Sequence, residues 1–381
     1  MPQTFNFTIR ATDNVASFAN RSFSITVNNS DFVRCCIARN DGIYKTRNFT
    51  SWTLDSTVTE LGTKIVYFVE YVNDAWYAFT CQPSVGTGNI AKMWRSLDGV
   101  IWTEEWTGVT GYYYQLFYLN GQYRLVAIDM NGPGGVIRFA SSASYPTSGT
   151  ATDTGISSGV SSFSAHHSLT LTYNSVLNRY VMSVKTMNSS ALGIYRHLYS
   201  DDGGATWTSS TPPVASSDRD TSHFYLINGV YFFCNSNGFY RSFDGITWTD
   251  LTANIVTAGF TPDGTQMTLG FGEGNLYLNA TNNLTNRNYR SSDAGDTWVS
   301  LGSPVPGAPN YLTFEGTPNT FGLNKQIEYY NNRVVYIVQQ NDNIAAKQRL
   351  LVDDFGFDRS GSIYDETITN KNMAYVGIRR M

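Results

Sequence analysis

From residue 31 to the end of the chain, apolar and polar positions alternate in short runs of about five to eight residues. Small turn-forming pairs interrupt the runs: Asn73-Asp74, Asn120-Gly121, Asn174-Ser175, Asn228-Gly229, Gly274-Asn275 and Asn331-Asn332. Asn-Gly between alternating runs is a strong hairpin signal, because both residues tolerate the positive φ of a tight turn whose twist matches the strands. Several returning runs carry an early tyrosine: Tyr77, Tyr123, Tyr180, Tyr231 and Tyr277. The pattern predicts an all-β chain of antiparallel hairpins.

A second punctuation follows each hairpin. Four segments share one form: Ser96-Leu97-Asp98-Gly99-Val100-Ile101-Trp102, Ser200-Asp201-Asp202-Gly203-Gly204-Ala205-Thr206-Trp207, Ser242-Phe243-Asp244-Gly245-Ile246-Thr247-Trp248 and Ser291-Ser292-Asp293-Ala294-Gly295-Asp296-Thr297-Trp298. Two are full length and two are one residue shorter. The chemistry is that of a turn. The Asp carboxylate (Asp98, Asp202, Asp244, Asp293) can accept from nearby backbone N–H groups. The glycine (Gly99, Gly204, Gly245, Gly295) supplies positive φ. The tryptophan starts the returning strand and covers the turn with a large apolar face. These aspartates are expected to be structural.

The segments resemble the Asp-box, Ser-x-Asp-x-Gly-x-Thr-Trp, of BNR-repeat, sialidase-like β-propellers. Degenerate copies fill the gaps: Thr46 to Trp52 with Asn48 in place of Asp, Arg138-Phe139-Ala140-Ser141, and Leu351 to Gly356. Boxes then fall near residues 46, 96, 141, 200, 242, 291 and 353, in steps that suit four-stranded blades. The resemblance implies a seven-bladed propeller over residues 31–381, its ring closed by the C-terminal strand around Tyr375, which supplies the missing inner strand before Val33–Ile37.

Residues 1–30 stand outside the repeat. Phe5 to Asp13 and Arg21 to Val27 alternate as two strands and resemble the last strands of a cadherin-like or Ig-type domain. Two strands alone are marginal in water. This extension is therefore expected to pair with another subunit or with a copy of the same chain, or to belong to a domain that a neighbour completes.

Composition narrows the function. Only 15% of residues are charged while 14% are aromatic, and the net charge is −4. No basic run suited to a phosphate backbone occurs, which argues against nucleic acid. No stretch of about 18 apolar residues predicts a membrane span. Met1-Pro2-Gln3-Thr4 opens without a secretory pattern. Cys35, Cys36, Cys81 and Cys234 lie singly or paired in apolar runs, so they read as small buried hydrophobes rather than a disulfide framework.

Candidate chemistry is thin. A sialidase needs an arginine triad, a Tyr–Glu pair and an Asp acid, and usually an Arg-Ile-Pro motif. The chain has no Arg-Ile-Pro, and the nearest arginine is Arg34. Arg95, Arg241 and Arg290, with Lys45, recur just before the boxes, which marks them as parts of the repeat. Glu70, Glu273, Glu315 and Glu328 form no paired-carboxylate signature. His166-His167 lacks partners at zinc-ligand spacing. Gly86 to Ala91 imitates a dinucleotide fingerprint without a βαβ setting. The sequons at Asn48 and Asn188 match chance in a chain so rich in Asn, Ser and Thr. No catalytic, cofactor-binding or metal-binding residue is assigned, and no cofactor is expected.

A propeller without visible catalytic groups, an Ig-like fragment and a charge-poor surface together look like a tailed-bacteriophage virion protein. The expectation is a non-enzymatic structural or adhesive component of tail, fibre or capsid decoration, made in the host cytoplasm, carried on the particle and binding host glycan. Two alternatives stay open: a glycoside hydrolase of sialidase-like fold, and a bacterial surface carbohydrate-binding module.

Overall fold

The computed structural model of the chain describes residues 3–12, 18–27, 33, 35–39, 42–47, 51–55, 57–62, 65–81, 90–109, 112–129, 135–144, 151–157, 168–187, 193–211, 223–235, 238–260, 266–272, 274–281, 286–302, 311–312, 327–330, 333–342, 345–354, 358–367 and 373–378. The regular structure is nearly all strand. The first two strands, β1 (Gln3–Thr12) and β2 (Phe18–Val27), form a two-stranded antiparallel sheet with Phe5 opposite Ile25 and Phe7 opposite Phe23.

Four-stranded meanders follow. The strands β3 (Cys35–Arg39), β4 (Gly42–Thr46) and β5 (Thr53–Leu54) share a sheet with the last strand of the chain. The next sheet is β6 (Ile65–Val72), β7 (Ala75–Cys81), β8 (Lys92–Ser96) and β9 (Thr103–Thr107). Then come β10 (Tyr112–Leu119), β11 (Gln122–Asp129), β12 (Val136–Ser142) and β13 (Thr152–Ser157). The fourth sheet holds β14 (Ser168–Asn174), β15 (Arg179–Met187), β16 (Gly193–Ser200) and β17 (Thr208–Ser210). The fifth holds β18 (His223–Ile227), β19 (Val230–Asn235), β20 (Gly238–Ser242) and β21 (Thr249–Asp250), followed by the short helix α1 (Thr252–Thr257). The sixth holds β22 (Gln266–Gly272), β23 (Asn275–Thr281), β24 (Asn286–Ser291) and β25 (Val299–Gly302). A five-stranded sheet comprises β26 (Tyr311–Leu312), β27 (Ile327–Tyr330), β28 (Arg333–Asp342), β29 (Ala345–Asp354) and β30 (Asp358–Thr367). The final strand, β31 (Met373–Ile378), runs antiparallel to β3, with Ile378 opposite Cys35 and Tyr375 opposite Ala38.

Burial falls from the first strand of a sheet to the last. In β10 and β11 eleven of sixteen residues are buried, with consecutive buried residues on both faces, whereas β13 is exposed or half-exposed throughout. Inner strands are therefore covered on both sides by neighbouring sheets, which is why their sequences read as near-continuous aromatic and aliphatic runs. First strands meet first strands: β6 meets β10, β10 meets β14, β14 meets β18, β18 meets β22, β22 meets β27, and β31 meets both β27 and β6. One apolar cluster, including Phe79, Trp106, Tyr114 and Phe139, continues across several of these sheets.

The hairpin turns refine the sequence reading. Asn73 and Asp74, and likewise Asn120-Gly121 and Asn228-Gly229, carry positive φ at both central positions. The Asn174 turn is longer than two residues. Asn174 ends β14 opposite Arg179, and its side-chain oxygen accepts from the amides of Val176 (3.0 Å) and Leu177 (3.2 Å). Gly274 has positive φ but Asn275 already belongs to β23, so that turn lies one residue earlier than the pair read from sequence. Asn331-Asn332 lies outside the described residues, between the paired Tyr330 and Arg333. Cys36 and Cys234 are fully buried, as small hydrophobes would be; the side chains of Cys35 and Cys81 are outside the described residues.

Candidate functional site

Antiparallel meanders divide each sheet into two ends. The connections from first to second strand and from third to fourth strand share one end; the remaining connections share the other. All four Asp-boxes join a third strand to a fourth, so they lie at the end that also carries the tight Asn turns. The opposite end carries the longer connections between sheets.

At the box end the four repeats make one set of bonds. In the full-length boxes Ser200 and Ser291 each donate to the aspartate two residues on, both at 2.8 Å, and accept the amide of Gly204 or Gly295. The aspartate then accepts both the amide and the hydroxyl of Thr206 or Thr297. In the short boxes Asp98 accepts the amides of Val100 (2.7 Å) and Ile101 (2.9 Å), and Asp244 those of Ile246 (2.8 Å) and Thr247 (2.7 Å). Deleting one residue thus brings the donating amides nearer along the chain, with the aspartate still the acceptor. Desolvation raises the Asp244 carboxyl, but the Ile246 and Thr247 amides and the Ser242 hydroxyl outweigh it and bring its pKa down to about 2. Exposed Asp202 reaches about 2 through the Thr206 hydroxyl and amide and the Ser200 hydroxyl. Replacing Asp244 with Ala is expected to cost on the order of 1 kcal/mol in denaturant unfolding, since it leaves those amides without their acceptor.

Each box also docks onto the preceding sheet. Gly204 and Gly295 have positive φ (94° and 93°), and a Cβ would lie 2.3 Å from Phe139 or 2.7 Å from Phe239. Trp207 and Trp298 stand edge-on to those same phenylalanines, with ring centroids 5.1 and 5.2 Å apart. The receiving position lies three residues before the serine that ends the third strand. In the fourth sheet it is His197, against which Trp248 of the next box packs at 5.6 Å and Phe224 at 5.0 Å. His197 is almost fully buried, and burial lowers its pKa to about 4. The Gly245 backbone nearby pulls in the other direction, but the contact falls short of a formed hydrogen bond on either ring nitrogen.

The basic side chains near the boxes are paired locally. Arg179 joins Asp201 at 2.6 Å and reaches the Asp244 carbonyl of the next sheet at 2.9 Å. Arg241 joins Asp296 at 3.0 Å and the Ala294 carbonyl at 3.1 Å. Lys45 meets fully buried Asp55 at 2.7 Å. Arg95 lies 4.0 Å from Glu105. Buried Arg124 stacks on Tyr180 of the next sheet and donates to its hydroxyl. Arg95 and Lys45 thus pair within their own sheets, whereas Arg241, like Arg179, reaches the box of the next sheet.

At the opposite end, Tyr112 begins β10 and donates its hydroxyl to Asp129, the last residue of β11, at 2.9 Å. Desolvation, followed by that carboxylate, raises the Tyr112 pKa to about 12, so the phenol stays a neutral donor. The Arg138 guanidinium lies 5.4 Å over the Tyr112 ring, and its Nε is buried without a hydrogen-bond partner. Tyr114, on the same face, accepts the Val109 amide at 2.9 Å and packs edge-on against Trp106 at 5.1 Å.

In the sequence, Arg138 falls within a worn box. The structure puts the box register at Ser142, opposite Tyr123, as Ser200 lies opposite Tyr180 and Ser242 opposite Tyr231. Arg138 falls outside the turn. The unusual nature of His197 was also legible: aligning the position three before each serine gives Met93, Phe139, His197, Phe239 and Asn288, a histidine in a mainly apolar column. Arg34, Asn48, Gly86 to Asn89, His166, His167, Asn188, Glu273, Glu315, Phe355 and Gly356 lie outside the described residues, as does the side chain of Glu328. Among the described residues no group of three or more His, Cys, Asp and Glu is placed to hold a metal ion, and no helix is long and apolar enough to cross a membrane.

No protein-family model matches the chain, and no curated protein matches it by sequence. Solved structures that resemble it are sialidase-like and other β-propellers. The chain is similar to the Trypanosoma rangeli sialidase in complex with sialic acid, at 10% identity and a TM-score of 0.43, over 94% of this chain and 60% of that one. It is similar to the β-propeller domain of the Trilobed protease from Pyrococcus furiosus, at 9% identity and a TM-score of 0.41, over 96% and 94% of the two chains. It is also similar to a puromycin-hydrolyzing peptidase of Mycobacterium tuberculosis, at 11% identity and a TM-score of 0.48, over 90% of this chain and 55% of that one. The match thus spans less than two thirds of the sialidase's and the peptidase's own length.

Proposed function

We propose that the chain is a seven-bladed propeller closed by β31, and that it is a structural and adhesive component of a tailed-bacteriophage particle, bound through residues 1–30 and presenting its loop end to host glycan. The observation that carries the reading is the division between the two ends. Box-end carboxylates and guanidinium groups are consumed by turn and inter-sheet bonds repeated from sheet to sheet. Such bonds suit a scaffold that holds its shape. The loop end is where a ligand would meet aromatic and polar groups. The ring is supported by the pairing of β31 with β3 and its contact with β6.

Attachment through the extension is supported by the register of β1 and β2. The register sets Phe5 opposite Ile25, Phe7 opposite Phe23 and Ala11 opposite Ala19, so from residue 5 to residue 11 apolar residues meet across the two strands at every second position but one, where Ile9 faces Arg21. A two-stranded sheet with such a row of pairs gains by adding to another subunit. Deleting residues 1–30 is expected to leave a folded protein that no longer enters particles. Mass spectrometry of purified particles checks this; a particle proteome lacking the full chain, or full incorporation of the deletion variant, counts against it.

A glycoside hydrolase is the second reading, and the Tyr112–Asp129 pair is the observation nearest to it. The shift of the phenol to about 12 opposes it, since a nucleophilic tyrosine has to ionise more readily, not less. Turnover of a fluorogenic sialoside, abolished by Tyr112→Phe, would put this reading first.

A further inference from the structure

The geometry points to a binding subsite for a neutral saccharide unit at Arg138, Asp129 and Tyr112, at the loop end of the sheet β10 to β13. The inference rests on the adhesive reading and names the chemistry of its ligand.

Four adjacent strands bring the residues onto one face. Tyr112 pairs with Asp129 across β10 and β11; Ala127, two residues before Asp129, pairs with Arg138 on β12; Arg138 pairs with Asp153 on β13. Side chains two apart on a strand share a face, so Tyr112, Asp129, Arg138 and Asp153 all project to the same side. Tyr112 opens β10, Asp129 closes β11, and Arg138 lies near the start of β12. That places the group beside the inter-sheet connections and away from the boxes.

Arg138 differs from the other arginines that pack into this framework. Arg124, Arg179 and Arg241 each donate to named oxygens in their own or the next sheet. The Arg138 guanidinium lies 5.4 Å from the Tyr112 ring centroid with its Nε buried and unmatched, as the Nε atoms of Arg95 and Arg241 also are, but unlike those two it has no carboxylate or carbonyl partner among the described residues. Stacking removes much of the rotamer freedom that a guanidinium would otherwise lose on binding, so its planar donor fork is oriented in advance. A buried donor without an acceptor is costly, and a ligand oxygen relieves that cost.

Charge decides the class of ligand. The face carries one guanidinium against two carboxylates, Asp129 and Asp153. It is therefore net negative, and a sulfated or carboxylated sugar would meet repulsion alongside its bond to Arg138. A neutral sugar hydroxyl has no such conflict. It accepts from Arg138 through its oxygen and donates its proton to a carboxylate, and vicinal hydroxyls do both at once. Tyr112, fixed by Asp129 and un-ionised, adds a neutral polar edge.

The test is native affinity electrophoresis of the full chain in gels containing dextran, galactomannan or polygalacturonate. Retardation is expected in at least one neutral gel and absent from polygalacturonate. Arg138→Ala should weaken the neutral interaction at least tenfold, Asp129→Asn comparably, and Arg138→Lys partially, each variant keeping its melting midpoint within a few degrees of the parent. The proposal fails if no neutral gel retards the protein or if only polygalacturonate does. It fails equally if the folded Arg138→Ala and Asp129→Asn variants are retarded like the parent. Particle incorporation, measured separately, reads the adhesive assignment: a chain that incorporates normally but ignores all three gels loses the subsite and keeps the virion role.

Discussion

Acidifying the protein from pH 7 to pH 4 is expected to destabilise it by about 3 kcal/mol through His197 alone. In the folded chain this imidazole sits between Phe224 and Trp248, and burial depresses its pKa to about 4. In the unfolded chain it titrates near its ordinary value of about 6.5. The sign follows directly. Below pH 6.5 the unfolded chain takes up a proton that the folded chain refuses, so stability is whole above that pH and falls until pH 4, where both states are protonated. No charged side chain contributes to the shift, and the Gly245 backbone offsets only part of the burial. His197→Phe separates this group from every other titration. It restores the residue type found at the matching seats, Phe139 and Phe239, and should flatten the stability profile between pH 6.5 and 4 while leaving the protein more stable at pH 5. Urea unfolding of both proteins across that range is the measurement, and parallel profiles would refute the assignment. Below pH 4 a separate loss begins, as Asp202 and Asp244, held near 2 in the fold, are protonated more readily in the unfolded chain.

Ending the chain after Asn370 is expected to produce the largest defect of any short truncation. It removes β31, the strand paired with β3 through Cys35 to Arg39 and in contact with β6 and β27. The loss leaves a row of unpaired backbone groups on β3 and uncovers one side of fully buried Cys36 and its neighbours. The apparent melting midpoint should fall by on the order of 10 °C, or the protein should be recovered in the insoluble fraction. A control ending after Ile378 keeps the strand and should melt like the full chain. If the shorter chain melts with it, β31 closes nothing.

The early tyrosines show how far a repeat can be read along one chain. All five are buried, as their place in strong hairpin runs suggested. They do not occupy one register. Tyr123, Tyr180 and Tyr231 lie opposite the serines 142, 200 and 242, whereas Tyr77 and Tyr277 lie opposite Arg95 and Arg290, one residue further on. A slip of one residue turns a strand side chain to the other face. That is why the Tyr77 hydroxyl meets the Tyr123 hydroxyl, 3.0 Å away across the gap between two sheets. Spacing along the chain could not distinguish the two registers.

The sequence by itself determined the local structure. Serine, aspartate, glycine and tryptophan at short fixed intervals specify a hydrogen-bonded turn whose partners lie within four residues, so no distant contact is needed to predict it. Alternation specified the strands, and the Asn-Gly pairs specified most of their hairpins, for the same reason. Only the tertiary structure decided which residues face one another between sheets. His197 became a buried, un-ionised imidazole because the next sheet lays Trp248 against it. Arg138 was separated from the box arginines because its strand register, fixed by pairing with β11, turns it toward Tyr112 at the opposite end. Both outcomes depend on contacts between segments far apart in the chain, and the energy of such contacts is absent from any local pattern of residues.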